Sequence, residues 1–397
     1  MIFDDLLSDN GLFCDGDWIE KKDQDSNGLV RLIQLADIGV CEFKDKSNKF
    51  ITEQKAIDLN CTYLKKGDLL IARLPEPLGR ACIFPYDGKF ITAVDVAILR
   101  PANDKVYNQY IMYLVNSPQF RNQIKKFESG TTRKRISRKN LNRIDFIIPD
   151  YNEQRRIVAK IEELFSQLDS GVETLKKTKA QLAVYRQAVL KEAFSPMENW
   201  EHKRLSEIGV VNLGRQRSPK NVSNNYPTKY IRAANITETG LSLTDVLDME
   251  FTPKEKEKYL LKHGDIVVSE ASGSITQVGK PAIWEEQLSE CCFQNTVIRL
   301  RLYNDNSKYV YWYLKYLYVN GYYSRIVGGV GINHIGAGNF SNIEIDLAPI
   351  SEQEKIVNQI ESRLSVCDSI EQTVDTALQQ AEAMRQSILK QAFEGRL

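Results

Sequence analysis

The chain has 397 residues, 42% of them hydrophobic and 26% charged, with a net charge of +1, which is the composition of an ordinary soluble protein long enough for two or more cores. No apolar stretch approaches the roughly 18–20 residues of a membrane span, and Met1-Ile2-Phe3-Asp4-Asp5 lacks the basic start and apolar core of a leader, so a cytoplasmic location and no membrane partner are expected. Seven cysteines without Cys-x-x-Cys spacing, and only His202, His263 and His334, argue against a disulfide framework, a zinc site or a catalytic metal. Buried thiols and no cofactor bound by this chain are expected.

Residues 1–20 carry six acids and no base, and no opening equivalent to the Trp200-Glu201-x-x-Arg204-Leu205 of the second half is legible before Val30. Leu64-Lys-Lys-Gly67-Asp68-Leu-Leu-Ile71 reads as a turn feeding a strand. A loop follows, Arg73-Leu-Pro-Glu-Pro-Leu-Gly-Arg80, and then an aromatic, helix-like stretch, Tyr107–Phe120. Between Arg121 and Arg143 nine basic residues stand against the single acid Glu128. Such a block is either a polyanion-binding surface or a solvated face. A strand is expected over Asp145–Ile148. From 151 to 195, Ile157, Ile161, Leu164, Leu168, Val172, Leu175, Leu182 and Val189 advance mostly in threes, fours and sevens, the spacing of a coiled-coil seam. Asp150 with Glu153 resembles a capping box, and Pro196 stops the helix.

About 199 positions later the pattern returns. Glu153-Gln154, Ile157-Val158, Ile161-Glu162 and Ala193-Phe194 recur as Glu352-Gln353, Ile356-Val357, Ile360-Glu361 and Ala392-Phe393. Ile33-Gln-Leu-Ala-Asp37-Ile38 is answered by Ile231-Arg-Ala-Ala-Asn235-Ile236, and the Gly67-Asp68 turn by Gly264-Asp265. The aromatic stretch reappears as Tyr309–Tyr323, expected to pack on its own domain. The second long helix, 351–394, has its seam at Ile356, Ile360, Leu364, Cys367, Val374, Leu378, Ala381, Met384 and Ile388, with a cap at Ser351 and Glu354. One globular-plus-helical unit has been duplicated. The expected fold is α+β: two mixed α/β globular domains in tandem, 1–150 and 197–350, separated by two long helices, 151–196 and 351–397. The helices are expected to pair as an antiparallel coiled coil about a pseudo-twofold axis, sending the globular parts to opposite ends.

These features together resemble the specificity subunit of type I restriction-modification enzymes over essentially the whole chain. The residues that carry the likeness are Ser129-Gly130-Thr131 through Ile148-Pro149 with the Glu153-Gln154-x-x-Ile157-Val158 helix start, and Asn339-Phe340 through Pro349 with Glu352-Gln353-x-x-Ile356-Val357. The resemblance implies two target recognition domains reading a split double-stranded DNA sequence. It also implies helices that dock two methyltransferase subunits, to which a motor-nuclease (restriction) subunit adds, and a chain that is not itself an enzyme. Readers held apart on a duplex meet the same groove side near multiples of roughly 34 Å. A gapped target follows, and because the polar residues of the two domains differ, an asymmetric one.

Candidate DNA contacts lie in loops. In Arg133-Lys134-Arg135-Ile136-Ser137-Arg138-Lys139 the bases would neutralise phosphates, and an Arg would read guanine, if this is not a solvated loop. Arg73 and Arg80 flank the first loop. In the second half the candidates are Arg215, Arg217 and Lys220 beside Ser218 and Asn221; Ser272, Ser274, Gln277 and Lys280; and Arg325, Asn333 and His334 among Gly321, Gly328, Gly329, Gly331, Gly336 and Gly338. Those glycines serve either close approach to DNA or tight turns against the tyrosines. Gly273 to Pro281 imitates a phosphate-binding loop but has Pro where Ser or Thr should hold magnesium. Lys176, Lys177, Lys179 and Arg186 on one helix, and Glu371, Asp375 and Glu382 on the other, are candidates for partner docking. The alternatives are a coiled-coil adaptor without a DNA-reading role, and a reader fused to a nuclease or methyltransferase.

Overall fold

The computed structural model describes residues 1–216, 226–326 and 333–397. Arg217, Ser218, Lys220, Asn221, Gly328, Gly329 and Gly331 lie outside the described residues. The chain forms two compact units, one of Met1–Leu175 with Asp375–Leu397 and one of Lys176–Val374. Division at 150, 196 and 350 sets the long helices apart as spacers, whereas each compact unit combines a globular part with half of each helix.

In the first unit four strands form an antiparallel sheet in the order Leu12–Asp15, Val96–Arg100, Leu69–Ala72, Ala81–Ile83. Leu69–Ala72 is buried along its whole length because both faces of the sheet are covered. Leu69 and Ile71 enter the core that holds Tyr110, Ile111 and Phe120. Leu70 and Ala72 face Phe84, Val96 and Ile98. Beside this sheet lie Phe50–Ile51, Val30–Ile33 and Phe90–Thr92, the last two parallel. The second unit repeats the arrangement: Gly209–Leu213, Val297–Leu302, Ile266–Ser269 and Pro281–Ile283 in one sheet, Leu247–Glu250, Pro227–Ile231 and Cys291–Phe293 in the other. The expected Gly-Asp turns are present. Gly67 and Gly264 take φ of +92° and +81°, a region open to glycine at little steric expense. The buried Asp68 accepts from the Lys65 N–H at 2.8 Å and from Arg100 at 2.6 and 2.7 Å. Asp265 does the same with Lys262 and Arg301.

The first long helix spans Tyr151–Ala193 and the second Ile350–Phe393. Asp150 Oδ1 caps the first by accepting from Glu153 N at 3.0 Å. The expected Ser351 cap is replaced by the Pro349 carbonyl, which accepts from Glu352 and Gln353 N–H, because the helix already begins at Ile350. The helices run antiparallel within each unit. In the first, Arg385 pairs with Asp169 and stacks on Phe165, and Arg156 donates to the Leu397 carbonyl at 3.2 Å. Leu389 and Ala392 join Ile157, Val158 and Ile161 in the core. In the second unit Arg186 donates to Asp368 and Glu371 at 2.6 and 2.7 Å, and Arg363 to Glu192 at 2.8 Å. Arg186 and Glu371, proposed above for partner docking, are therefore bonded to each other between the helices. Met384, expected in the seam, is 54% exposed.

Each helix is fastened to its globular part by one buried glutamine. Gln154 accepts from Tyr107 N at 2.8 Å and donates to the Lys105 and Pro149 carbonyls, both at 2.9 Å. Gln353 accepts from Asn306 N at 2.9 Å and donates to Asp305 and to the Ala348 carbonyl. The repeated Glu-Gln pair of the sequence is thus a staple, since a long polar side chain at 0% exposure is tolerable only with its amide fully bonded.

Three expectations need correction. The opening of the first unit exists: Phe3–Leu6 and Leu12–Asp15 occupy the places of Leu205–Ile208 and Gly209–Leu213, with Phe3 and Leu6 fully buried beneath an acidic surface. The strand expected over Asp145–Ile148 is absent. Phe146 exchanges two 2.9 Å bonds with Met1 alone, whereas its counterpart Glu344–Leu347 pairs four residues with Glu201–Arg204. The stretch Tyr107–Phe120 is two helices, Asn108–Asn116 and Pro118–Lys126, because Pro118 starts a new one capped by Ser117.

Candidate nucleic-acid interface

Between the helices Pro118–Lys126 and Arg138–Leu141, the basic block of the first unit is a hairpin. Ser129 and Arg135 exchange two 2.9 Å backbone bonds, and Gly130 turns the tip at φ +93°, where a Cβ would lie 2.4 Å from the Arg133 carbonyl. Its base is anchored by the fully buried Ile136, whose N–H donates to the Arg73 carbonyl at 3.0 Å. Ser137 then caps the short helix Arg138–Leu141 by accepting from Asn140 N. Everything from Thr131 to Arg135 is exposed, as is Lys139. The Arg133, Arg135 and Lys139 side chains have no partner among the described residues. Lys134 binds Glu128 at 2.6 Å, which raises its pKa through that hydrogen bond.

Arg73 and Arg138 meet at Asp15, 3.3 and 3.6 Å from its two oxygens. Arg73 also donates to the Val94 carbonyl, and Arg138 to Phe13 O at 3.1 Å. The structure therefore brings Arg73, the hairpin cations and Arg138 together, with three cations uncommitted. Arg80 belongs elsewhere: it is spent on the carbonyls of Ile38, Leu35, Leu74 and Pro75, and burial depresses its pKa.

In the second unit the corresponding segments are Ala271–Ser272, paired antiparallel with Asn333–His334. Ile335, buried like Ile136, donates to the Glu270 carbonyl at 3.1 Å. Where the first unit has Arg73, this one has Glu270, 7% exposed, with both oxygens 3.2 Å from His334 Nδ1. Ser272, Ser274 and Gln277 line the same edge. The Ser272 hydroxyl accepts from Ser274 N, and the Ser274 hydroxyl meets Thr276 at 2.9 Å. Arg325 is exposed and stacks on Tyr322. Two residues proposed from sequence are committed inside the fold. Arg215 is 8% exposed, bound to Glu255 at 2.7 Å and stacked on Phe251. Lys280 is buried, with Gln277 and Glu238 as partners. Sequence reasoning missed Glu238, Lys315 and Tyr318, which surround Lys280. Lys315 stands within the tyrosine-rich helix Ser307–Val319, and a base within an otherwise aromatic run was the available signal.

The structure thus defines a duplicated α+β module whose two copies share a frame and differ at the tip, one cationic and one of mixed polarity. The family model for the type I restriction modification DNA specificity domain matches residues 14–183 and 197–380, and the chain belongs to that family. It is similar to the StySPI specificity subunit of Salmonella potsdam, 27% identical over 72% of this chain and 65% of that one. The EcoKI specificity subunit of Escherichia coli K12 is 24% identical, over 76% and 68%. The chain thus spans slightly under two thirds of the first relative's length. Among solved structures, the HsdS subunit from Thermoanaerobacter tengcongensis superposes with a TM-score of 0.57 at 16% identity, covering 98% of both chains. A chain from work on complex assembly and conformational transition of the type I R-M system gives 0.74 at 17%, covering 98% of this chain and 99% of that one. These two likenesses concern the fold. Among the described residues no helix is long and apolar enough to cross a membrane.

Proposed function

We propose that the chain is the DNA-reading specificity subunit of a type I restriction-modification complex, with one half of a bipartite, asymmetric duplex target read by each unit. It catalyses nothing itself. Methyltransferase subunits, two in number, dock on its helical parts, and a motor-nuclease subunit joins them. The observation that carries this reading is the exposed hairpin with Arg133 and Arg135 unpaired among the described residues, since projecting cations without internal partners are what a phosphate backbone selects. Family membership and the duplicated frame support the bipartite target.

The test is duplex binding by the chain with its partner subunits, for the native protein and for a triple Ala variant at Arg133, Lys134 and Arg135. The log-log salt slope should flatten by about 0.9 for each phosphate no longer neutralised. An unchanged slope removes the hairpin from the interface. Absence of any duplex binding favours the adaptor reading, and turnover by the isolated chain would contradict the non-catalytic one.

A further inference from the structure

Beside the Ala271–Gln277 edge, the second unit holds two ammonium groups nearly shut off from water. Lys280 Nζ lies 3.0 Å from Glu238 Oε1, with its side chain 6% exposed, and also donates to Gln277. Lys315 Nζ lies 3.6 Å from Glu238 Oε2, 13% exposed, and donates to the Glu238 carbonyl at 2.9 Å. The Tyr318 hydroxyl is 2.9 Å from Glu238 Oε1 and 2.8 Å from the Thr276 carbonyl. The carboxylate they share is 58% exposed. It reaches in from the turn between Ile236–Thr237 and Gly240–Leu241. Burial depresses the pKa of Lys315. Burial opposes the Glu238 carboxylate, but the bonds from Lys280 and Tyr318 outweigh it and hold the acid below its ordinary range.

The frame does not require this cluster, because the first unit does without it. At the place of Glu238 stands Val40, and at the place of Lys280 stands Arg80, satisfied by carbonyls. At the place of Lys315 stands Asn116, which accepts from Ala81 N at 3.2 Å and donates to Ala81 O at 2.8 Å. Pro281, at the place of Ala81, has no N–H to offer. Two inward ammoniums and a phenol gathered on a single water-exposed acid form a donor set for two anionic oxygens, the pair that a phosphodiester presents.

We infer that Lys280, Lys315 and Tyr318 form a DNA-backbone phosphate site, with Glu238 occupying the anion position until a phosphodiester displaces it. This rests on the DNA-reading proposal above. The site neighbours Ser274 and Gln277, so a phosphate held there would set the register of that edge on the duplex.

The experiment measures binding of random-sequence duplex by the full chain with its partner subunits across a salt series. Glu238→Gln removes the competing charge and keeps the shape, leaving the ammoniums to gather salt anions that DNA must release. Its salt slope should steepen by about 0.9 and its low-salt affinity should rise about 3- to 10-fold. Adding Lys315→Met should return the slope to the native value, and Glu257→Gln, an exposed acid of the same unit, should leave it unmoved. Lys315→Met alone should flatten the slope, which keeps the test available if the glutamine variant folds poorly. Native-like slopes in both Glu238→Gln and Lys315→Met overturn the site while leaving DNA reading intact. Loss of duplex binding by the native chain itself would instead overturn the parent proposal. A melting temperature of Glu238→Gln that rises with inorganic phosphate, without a change in DNA slope, assigns the cluster to a free anion and overturns the backbone assignment.

Discussion

The two units agree in sheet order, in the glycine turns and in the anchoring of their long helices, and they differ in the side chains along the loop edge. Asp68–Arg100 and Asp265–Arg301 are the same bidentate pair behind the same glycine turn. Gln154 and Gln353 each make a three-bond staple that differs in one acceptor, the Lys105 carbonyl against the Asp305 carboxylate. At the edge the correspondences break. Asp17 and Arg215 both donate their N–H across to the neighbouring sheet, to Thr92 and Phe293 carbonyls, yet carry opposite charges. Arg73 is answered by Glu270 and Val40 by Glu238. Duplication has kept the frame and changed the chemistry of the edge, as expected if the halves read unlike sequences.

The largest expected effect tests the shared frame. Asp68→Ala leaves Arg100 without its carboxylate and should destabilise the first unit by about 3 kcal/mol, with Asp265→Ala doing the same to the second. Denaturant unfolding followed by hydrogen exchange assigns each loss to a unit. A loss confined to one of the two variants would break the equivalence. Next, Gln154→Ala and Gln353→Ala should each cost about 2 kcal/mol, since three bonded groups lose their partner. Exchange at Tyr107 or Asn306 N–H should quicken correspondingly, and protected amides in the variants would show that the staple is idle.

The smallest effects sharpen the contrast in acid response. Burial raises the Asp17 pKa from 3.8 to about 6, so between those values the native state keeps a proton that the unfolded chain has released, and stability falls as pH rises. Asp17→Asn should remove that fall, a gain of about 1 kcal/mol at neutral pH once solvent screening of a half-buried group is allowed for. In the second unit His202 is raised by hydrogen bonds to Asp346 and then Glu344. Its contribution is present below the ordinary histidine value and disappears as pH rises through the raised one. His202→Gln should abolish that dependence at the Glu201–Arg204 edge while leaving the Asp17 window untouched. Thermal melts from pH 4 to 8 check both.

The long helices, their span and most of their seam, Met384 excepted, were legible because apolar spacing near 3.5 residues is local information. The Gly-Asp turns were legible because positive φ selects glycine. The duplication needed only the chain compared with itself. Strand order was not legible, since Leu69–Ala72 is central only because Val96–Arg100 and Ala81–Ile83 flank it, and pairing between distant segments leaves no short-range trace. Nor was the difference between Arg80 and Arg133, two loop arginines alike in the text of the sequence. Carbonyls 42 and 45 residues away absorb the first, while a glycine hairpin lifts the second into water. Periodicity and turn chemistry set what each segment becomes by itself. Which charges remain free for a partner depends on desolvation and on long-range hydrogen bonds, and these exist only once the sheets and helices have closed around them.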